Sequence, residues 1–159
     1  MIFVTVGTQL PFDRLVRTVD TWATECGRND IVAQTGPSKY VPKTLINSPF
    51  MKPATFDRHL SEADIIIAHA GMGSIIGALS MAKPIIVMPR QVALGEHRND
   101  HQLATAERFR SRPGVYVVHD ADALRSILSR LLELTGGAPI PTIASQELLQ
   151  ALRDFIADS

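Results

Sequence analysis

An α/β domain with a mostly parallel sheet and helices on both faces is the fold class this sequence predicts, on three observations. Short apolar runs rich in β-branched residues alternate with segments of helical periodicity along nearly the whole chain. In the run Asp64, Ile65, Ile66, Ile67, Ala68 the four residues after the aspartate are apolar without alternation, as in a parallel strand covered on both faces. Glycine-bearing turns follow two of the strand candidates and open helices, as strand-to-helix connections of right-handed crossovers.

Residues 2–6 read as a buried strand, and residues 7–11 as a turn. Phe12, Leu15, Val16, Val19, Trp22, Ala23 and Cys26 recur at helical spacing, with Pro11 suited to the first turn and Gly27 to the end. Strands are expected at 31–34 and 48–52, a short helix at 56–62 and a strand at 64–68. The turn Gly71, Met72, Gly73, Ser74 leads into a helix reaching Met81, and 84–88 form the next strand, closed by Pro89. A loop to about Asn99 precedes a helix to about Arg110, and 114–118 form the last strand. Asp120 caps a helix carrying Leu124, Ile127, Leu128, Leu131 and Leu132 on one face. The stretch 136–141 connects to a final helix with Leu148, Leu149, Leu152, Phe155 and Ile156.

The length, 159 residues, fits a single domain spanning 1–159. Sixteen Lys and Arg balance sixteen Asp and Glu, which argues against a general nucleic-acid binder and against a polybasic membrane patch. The lone Cys26 leaves no intrachain disulfide and fits a reducing compartment, with burial as a small apolar residue expected. No apolar run approaches the ~18 residues of a membrane span. The start lacks the basic region of a signal peptide, so a soluble, cytoplasmic protein is expected.

Ligands in open parallel sheets bind beyond the carboxyl ends of the strands, which directs attention to the loops there. Gly7, Thr8 and Gln9 occupy one strand-to-helix turn, and His69, Ala70, Gly71, Met72, Gly73 and Ser74 another. Both suit phosphate, because glycine admits close backbone approach, helix N-termini present unbonded N–H groups, and Thr8 and Ser74 add hydroxyls. His69 stands where it can donate to a diphosphate oxygen and stabilise charge on a departing nucleotide. The segment Gly95, Glu96, His97, Arg98, Asn99, Asp100, His101, Gln102 is dense in groups that grip sugar and ribose hydroxyls. His97 and His101 are also spaced to share a helical face toward a metal, but the metalloprotease pattern is absent and no metal is expected.

The ordered set of these segments resembles one family. Val6, Gly7, Thr8 and Gln9 with Phe12 and Asp13, then Gln34, Thr35 and Gly36, then the 69–74 turn, then 83–90, then 96–102, are similar to the C-terminal domain of family 28 glycosyltransferases. The likeness runs from Ile2 to about Leu132; it is greatest to the small subunits of two-component bacterial exopolysaccharide enzymes and extends to the small catalytic subunit of the dolichol-pathway N-acetylglucosamine transferase. The resemblance implies the Rossmann-like donor-binding lobe of a GT-B enzyme split between two chains. A UDP-sugar would be the donor and a lipid-linked saccharide the acceptor. A membrane-anchored partner would supply the acceptor lobe and the general base, and hold this chain at the inner face of the membrane.

The same resemblance implies that Gly7, Thr8, Gln9, Gly71, Met72, Gly73 and Ser74 approach the diphosphate, that Gly36 is among the substrate-binding residues, and that Met51 and Lys52 offer backbone to the uracil. His69 and Glu96 would carry the catalytic roles, while Glu96, His97, Asp100 and Gln102 face the sugar and Arg90 and Arg98 stand ready for a sugar carboxylate. It implies an inverting reaction with no enzyme-bound metal and no cofactor. Many relatives place an acidic residue for the ribose where this chain has Gly77, so that task passes elsewhere, with Glu96 a candidate.

Two other readings fit parts of the pattern. Gly71, Gly73 and Gly77 form a variant dinucleotide fingerprint, with Arg90 placed for a 2′-phosphate, as in an NADP-dependent oxidoreductase. A non-catalytic nucleotide-binding regulatory subunit would need the same turns and no base.

Overall fold

The protein is described here by a computed structural model covering residues 1–140. Strands β1 (Ile2–Thr5), β2 (Ile31–Gln34), β3 (Ile46–Ser48), β4 (Ile65–His69), β5 (Ile85–Met88) and β6 (Val115–Val117) alternate with helices α1 (Asp13–Cys26), α2 (Pro53–Glu62), α3 (Met72–Ser80), α4 (His101–Phe109) and α5 (Ala121–Leu128). Every strand pairing is parallel, and the sheet order is β3-β2-β1-β4-β5-β6. The chain therefore builds outward from β1 in one direction and then from β4 in the other. That reversal leaves a crevice at the carboxyl ends of β1 and β4.

The burial of the strands explains their uninterrupted apolar sequences. One face of the sheet packs Val4, Val6, Ile31, Ile67 and Ile86 against Leu15, Val16 and Val19 of α1 and Leu124 and Leu128 of α5. The other packs Phe3, Ile66, Ile85 and Val87 against Leu60 of α2, Ile75 and Leu79 of α3 and Ala106 of α4. Alternate residues of one strand thus enter two different cores, so a period-2 polar alternation would be penalised on either face.

Helix α1 ends as its sequence indicates. Gly27 adopts φ 65°, and Arg28 N–H donates to Ala23 O at 2.8 Å, closing the last turn. Asp120 accepts from Ala123 N–H at 2.8 Å at the start of α5.

Four sequence expectations are corrected. The third strand lies at Ile46–Ser48 rather than 48–52; beyond it, Pro49 has no N–H to add to a ladder, and Met51 N–H is taken by the Gln34 side chain. Helix α2 begins at Pro53, three residues early, because proline is pre-set for the first helical position. Leu132 is fully exposed instead of facing the core: α5 ends at Leu128, and the 3-10 turn Leu131–Glu133 changes the register, turning Leu131 inward and Leu132 outward. Cys26 is exposed at the last turn of α1, not buried. The final helix expected around Leu148–Ile156 lies outside the described residues.

The 35–45 loop is held by a group the sequence did not single out. Asp20, buried on α1, accepts from Tyr40 Oη at 2.6 Å and from the backbone N–H groups of Lys43, Thr44 and Leu45 at 3.0, 2.9 and 3.3 Å. A carboxylate with that many donors orders a loop otherwise poor in regular structure. No described helix is long and apolar enough to cross a membrane.

Candidate functional site

Two adjoining cavities occupy the crevice at the carboxyl ends of β1 and β4. The first, of about 410 Å³, brings Gly7, Thr8 and Gln9 together with His69, Gly71 and Met72, and adds Arg90, His97 and Gln102 from the far side. The second, of about 420 Å³, shares Gly7 and Thr8 and is completed by Gly73, Ser74, Gln34 and Met51. Residues as distant in the chain as Val6 and Thr105 thus converge, because the loops after the strands lie together at one edge of a sheet whose strands all point the same way.

His69, the last residue of β4, is the hub. Its ring lies between the two glycine turns. A Cβ on Gly7 would come within 3.0 Å of its Cε1, and a Cβ on Gly71 would overlap its Nε2. The glycines are required here by space, and Gly7 also by its φ of 78°. Gly36, at φ 58°, supports the first turn from behind, since a Cβ there would stand 2.7 Å from Gly7 O. Gly36 lines neither cavity.

Burial, reinforced by the positive charge of Arg90, lowers the His69 pKa to about 4, so the imidazole is neutral near pH 7. Its Nδ1 stands 3.5 Å from Thr5 O, a carbonyl that can only accept. With the proton on Nδ1 this contact is a hydrogen bond and Nε2 is an acceptor; with the proton on Nε2 the roles of the two nitrogens reverse. At 3.5 Å that bond is weak, and exchange to the Nε2–H tautomer forfeits little.

The phosphate-turn donors are placed differently from the simplest expectation. Gly71 N–H is spent on His69 O at 2.8 Å. The first intrahelical bond of α3 is Ile75 N–H to Gly71 O, which leaves the N–H groups of Met72, Gly73 and Ser74 as the unbonded first turn. No acidic side chain stands in that turn.

Arg90 forms the floor. It is 3% exposed, and its guanidinium donates to Val6 O and Leu10 O, both at 2.6 Å, and to Pro11 O at 3.3 Å. Burial lowers its pKa to about 10, against the opposing effect of Glu96, so it remains a cation. Gln102 is likewise buried and accepts from Arg90 N–H at 3.1 Å. Arg90 thus ties the first glycine turn to β5 rather than projecting as a free cation.

Glu96 is also engaged. Its two oxygens receive Arg14 Nε at 2.7 Å and Arg14 Nη2 at 2.8 Å, and Gln91 N–H adds a bond at 3.0 Å. Glu96 lines neither cavity. Asp100 accepts from Val92 N–H at 3.0 Å and also stays outside both cavities, and Arg98 is exposed beyond them. His97 and His101 meet edge to face, with ring centroids 4.6 Å apart, on the wall of the first cavity. Among the described residues no cluster of three or more metal-ligating side chains exists.

Met51 borders the second cavity and a third of about 450 Å³, and Lys52 borders only the third. Gln34 Oε1 holds Met51 N–H at 3.0 Å. Lys52 O accepts from Thr55 and Phe56 N–H. Met51 O and Lys52 N–H make no bond among the described residues. The sequence reading placed His101 in the polar 95–102 segment and beside His97, but did not single out Leu10 and Thr105 in the first cavity, or Phe56 and Asp57 in the second. His101 and Thr105, at i and i+4 on α4, carried a spacing signal, whereas Phe56 and Asp57 carried none.

The sequence profile of the glycosyltransferase family 28 C-terminal domain matches residues 1–149. The UDP-N-acetylglucosamine transferase subunit ALG13 of Mus musculus is 31% identical over 151 residues, covering 87% of this chain and 12% of that protein. The chain therefore corresponds to a small part of that relative. A solution structure of ALG13 superposes with a TM-score of 0.60 at 19% identity, covering 87% of this chain and 89% of the other. Acinetobacter baumannii MurG superposes with a TM-score of 0.58 at 18% identity, covering 82% of this chain and 41% of the other. At those identities the structural likeness establishes the fold.

Proposed function

This chain belongs to the glycosyltransferase family 28 C-terminal domain family, and on that premise we propose that it is the donor-binding subunit of an inverting glycosyltransferase. The donor is a UDP-sugar, and the acceptor is a lipid-linked saccharide in exopolysaccharide or capsule assembly. A membrane-anchored partner supplies the acceptor lobe and the general base, and holds this chain at the cytoplasmic face. The observation that carries the reading is the pair of glycine turns packed on either side of His69 at the switch point of the sheet.

In this reading the diphosphate lies across the two turns. The unbonded N–H groups of Met72, Gly73 and Ser74, aligned with the α3 dipole, meet the phosphate oxygens on which charge grows as the bond to the anomeric carbon breaks. His69 takes the Nε2–H tautomer and donates to the same group without carrying a charge. Thr8 and Gln9 close over the diphosphate from the β1 side. The uracil pairs with Met51 O and Lys52 N–H, and the sugar extends toward His97, His101 and Gln102. Glu96 acts at one remove, bracing the 89–100 loop through Arg14, and Arg90 holds the floor.

Calorimetric titration of the chain, alone and co-expressed with its partner, with UDP, UDP-sugars and NADPH tests this. Binding of UDP compounds without NADPH supports the donor lobe. NADPH binding alone would establish the oxidoreductase reading instead. UDP-sugar binding by the complex without sugar transfer would establish a regulatory subunit.

A further inference from the structure

We infer that Asp57 is the ribose-binding residue of the nucleotide site, an inference that rests on the donor-lobe reading. Both phosphate turns border the second cavity, through Gly7 and Thr8 on one side and Gly73 and Ser74 on the other. Met51, the proposed base-pairing position, lines it as well. A nucleoside diphosphate anchored at the turns with its base at Met51 must pass its ribose through this cavity.

A ribose presents two vicinal hydroxyls, and a carboxylate is the side chain suited to accept from both at once. Asp57 is the one carboxylate that lines either of the first two cavities among the described residues. Its competitors are committed elsewhere. Glu96 is paired with Arg14, Asp13 accepts from Ser38 and Lys39, and Asp100 accepts from Val92. Asp57 itself makes no hydrogen bond or ion pair to any described residue.

On the opposing helix α3, Gly77 carries no side chain where it faces Leu60 of α2. A Cβ on Gly77 of α3 would meet Leu60 Cδ2 of α2 at 3.0 Å, so α2 and α3 are packed closely there. Asp57 lies one turn of α2 nearer the cavity mouth than Leu60, on the same face as Pro53, which also lines the cavity. The close helix contact that glycine permits sets α2 against α3, and Asp57 of α2 lines the cavity that Gly73 and Ser74 of α3 also border.

The test is titration of the full chain and of its Asp57→Asn and Asp57→Ala variants with UDP and with 2′-deoxy-UDP. The wild type is expected to prefer UDP by about tenfold, the scale of a charge-assisted hydrogen bond. In both variants that preference falls to near unity, because only UDP binding weakens. Unchanged preference in the variants overturns the assignment, as does an equal loss of both ligands. If neither nucleotide binds the wild-type chain or its complex, the donor-lobe reading itself falls, which is a separable outcome.

Discussion

Arg14 and Glu96 form a two-pronged ion pair, Nε to Oε1 at 2.7 Å and Nη2 to Oε2 at 2.8 Å, across 82 residues of sequence. The same guanidinium donates to His119 O at 2.8 Å and Pro89 O at 3.2 Å. One side chain of α1 therefore gathers the ends of β5 and β6 and the loop that walls the first cavity.

Glu96→Ala leaves Arg14 without its carboxylate and Gln91 N–H without its acceptor. The pair is mostly shielded, with side-chain exposures of 20% and 12%, so the expected cost is about 2–3 kcal/mol. In a chain of this size that lowers Tm by roughly 5–10 °C. Below that temperature UDP affinity should stay within about threefold of wild type. A normal melting curve with abolished UDP-sugar binding would show that Glu96 contacts the ligand after all.

The two glycines of the second turn should respond in opposite ways. Gly71→Ala drives a methyl group into the His69 ring and should displace it, lowering both stability and UDP affinity. Gly73→Ala meets nothing within 4 Å, and its helical position should raise stability by about 0.5–1 kcal/mol while the methyl group obstructs the phosphate. Melting curves and calorimetry on the two variants read the contrast; equal UDP affinity in Gly73→Ala and wild type would remove the phosphate from that turn.

His69 makes stability depend on pH in a defined window. Its folded pKa is about 4 and its ordinary value 6.5, so between these the unfolded chain binds a proton that the folded chain does not. Stability is complete above pH 6.5 and falls as pH drops toward 4, by about 3 kcal/mol over the window. Urea unfolding of wild type and His69→Gln from pH 4 to 7 should show this slope only in the wild type.

Arg90→Met should fold poorly despite keeping the apolar stem. Val6 O, Leu10 O and Pro11 O lose their donor together, at an expected cost of about 3 kcal/mol. Arg90→Lys can satisfy only some of these directions and should fall between. Urea midpoints give the order; a Met variant as stable as wild type would remove Arg90 from its structural role.

The sequence alone determined the layered α/β architecture, the parallel sheet, the cap of α1 at Gly27 and both glycine turns. Each of these is encoded by neighbours: apolar runs covered on both faces, a left-handed residue after a helix, glycine where strand becomes helix. What each polar side chain touches was decided only by the tertiary structure. Glu96 and Asp100 stood in a segment that reads as sugar-binding, yet one meets Arg14 and the other Val92 N–H. Asp57 carried no local signal, and its place in the cavity follows from the approach of α2 to Gly77. A carboxylate takes whichever donors the fold brings within about 3 Å, and those donors lie tens of residues away, beyond the range of any periodicity or motif.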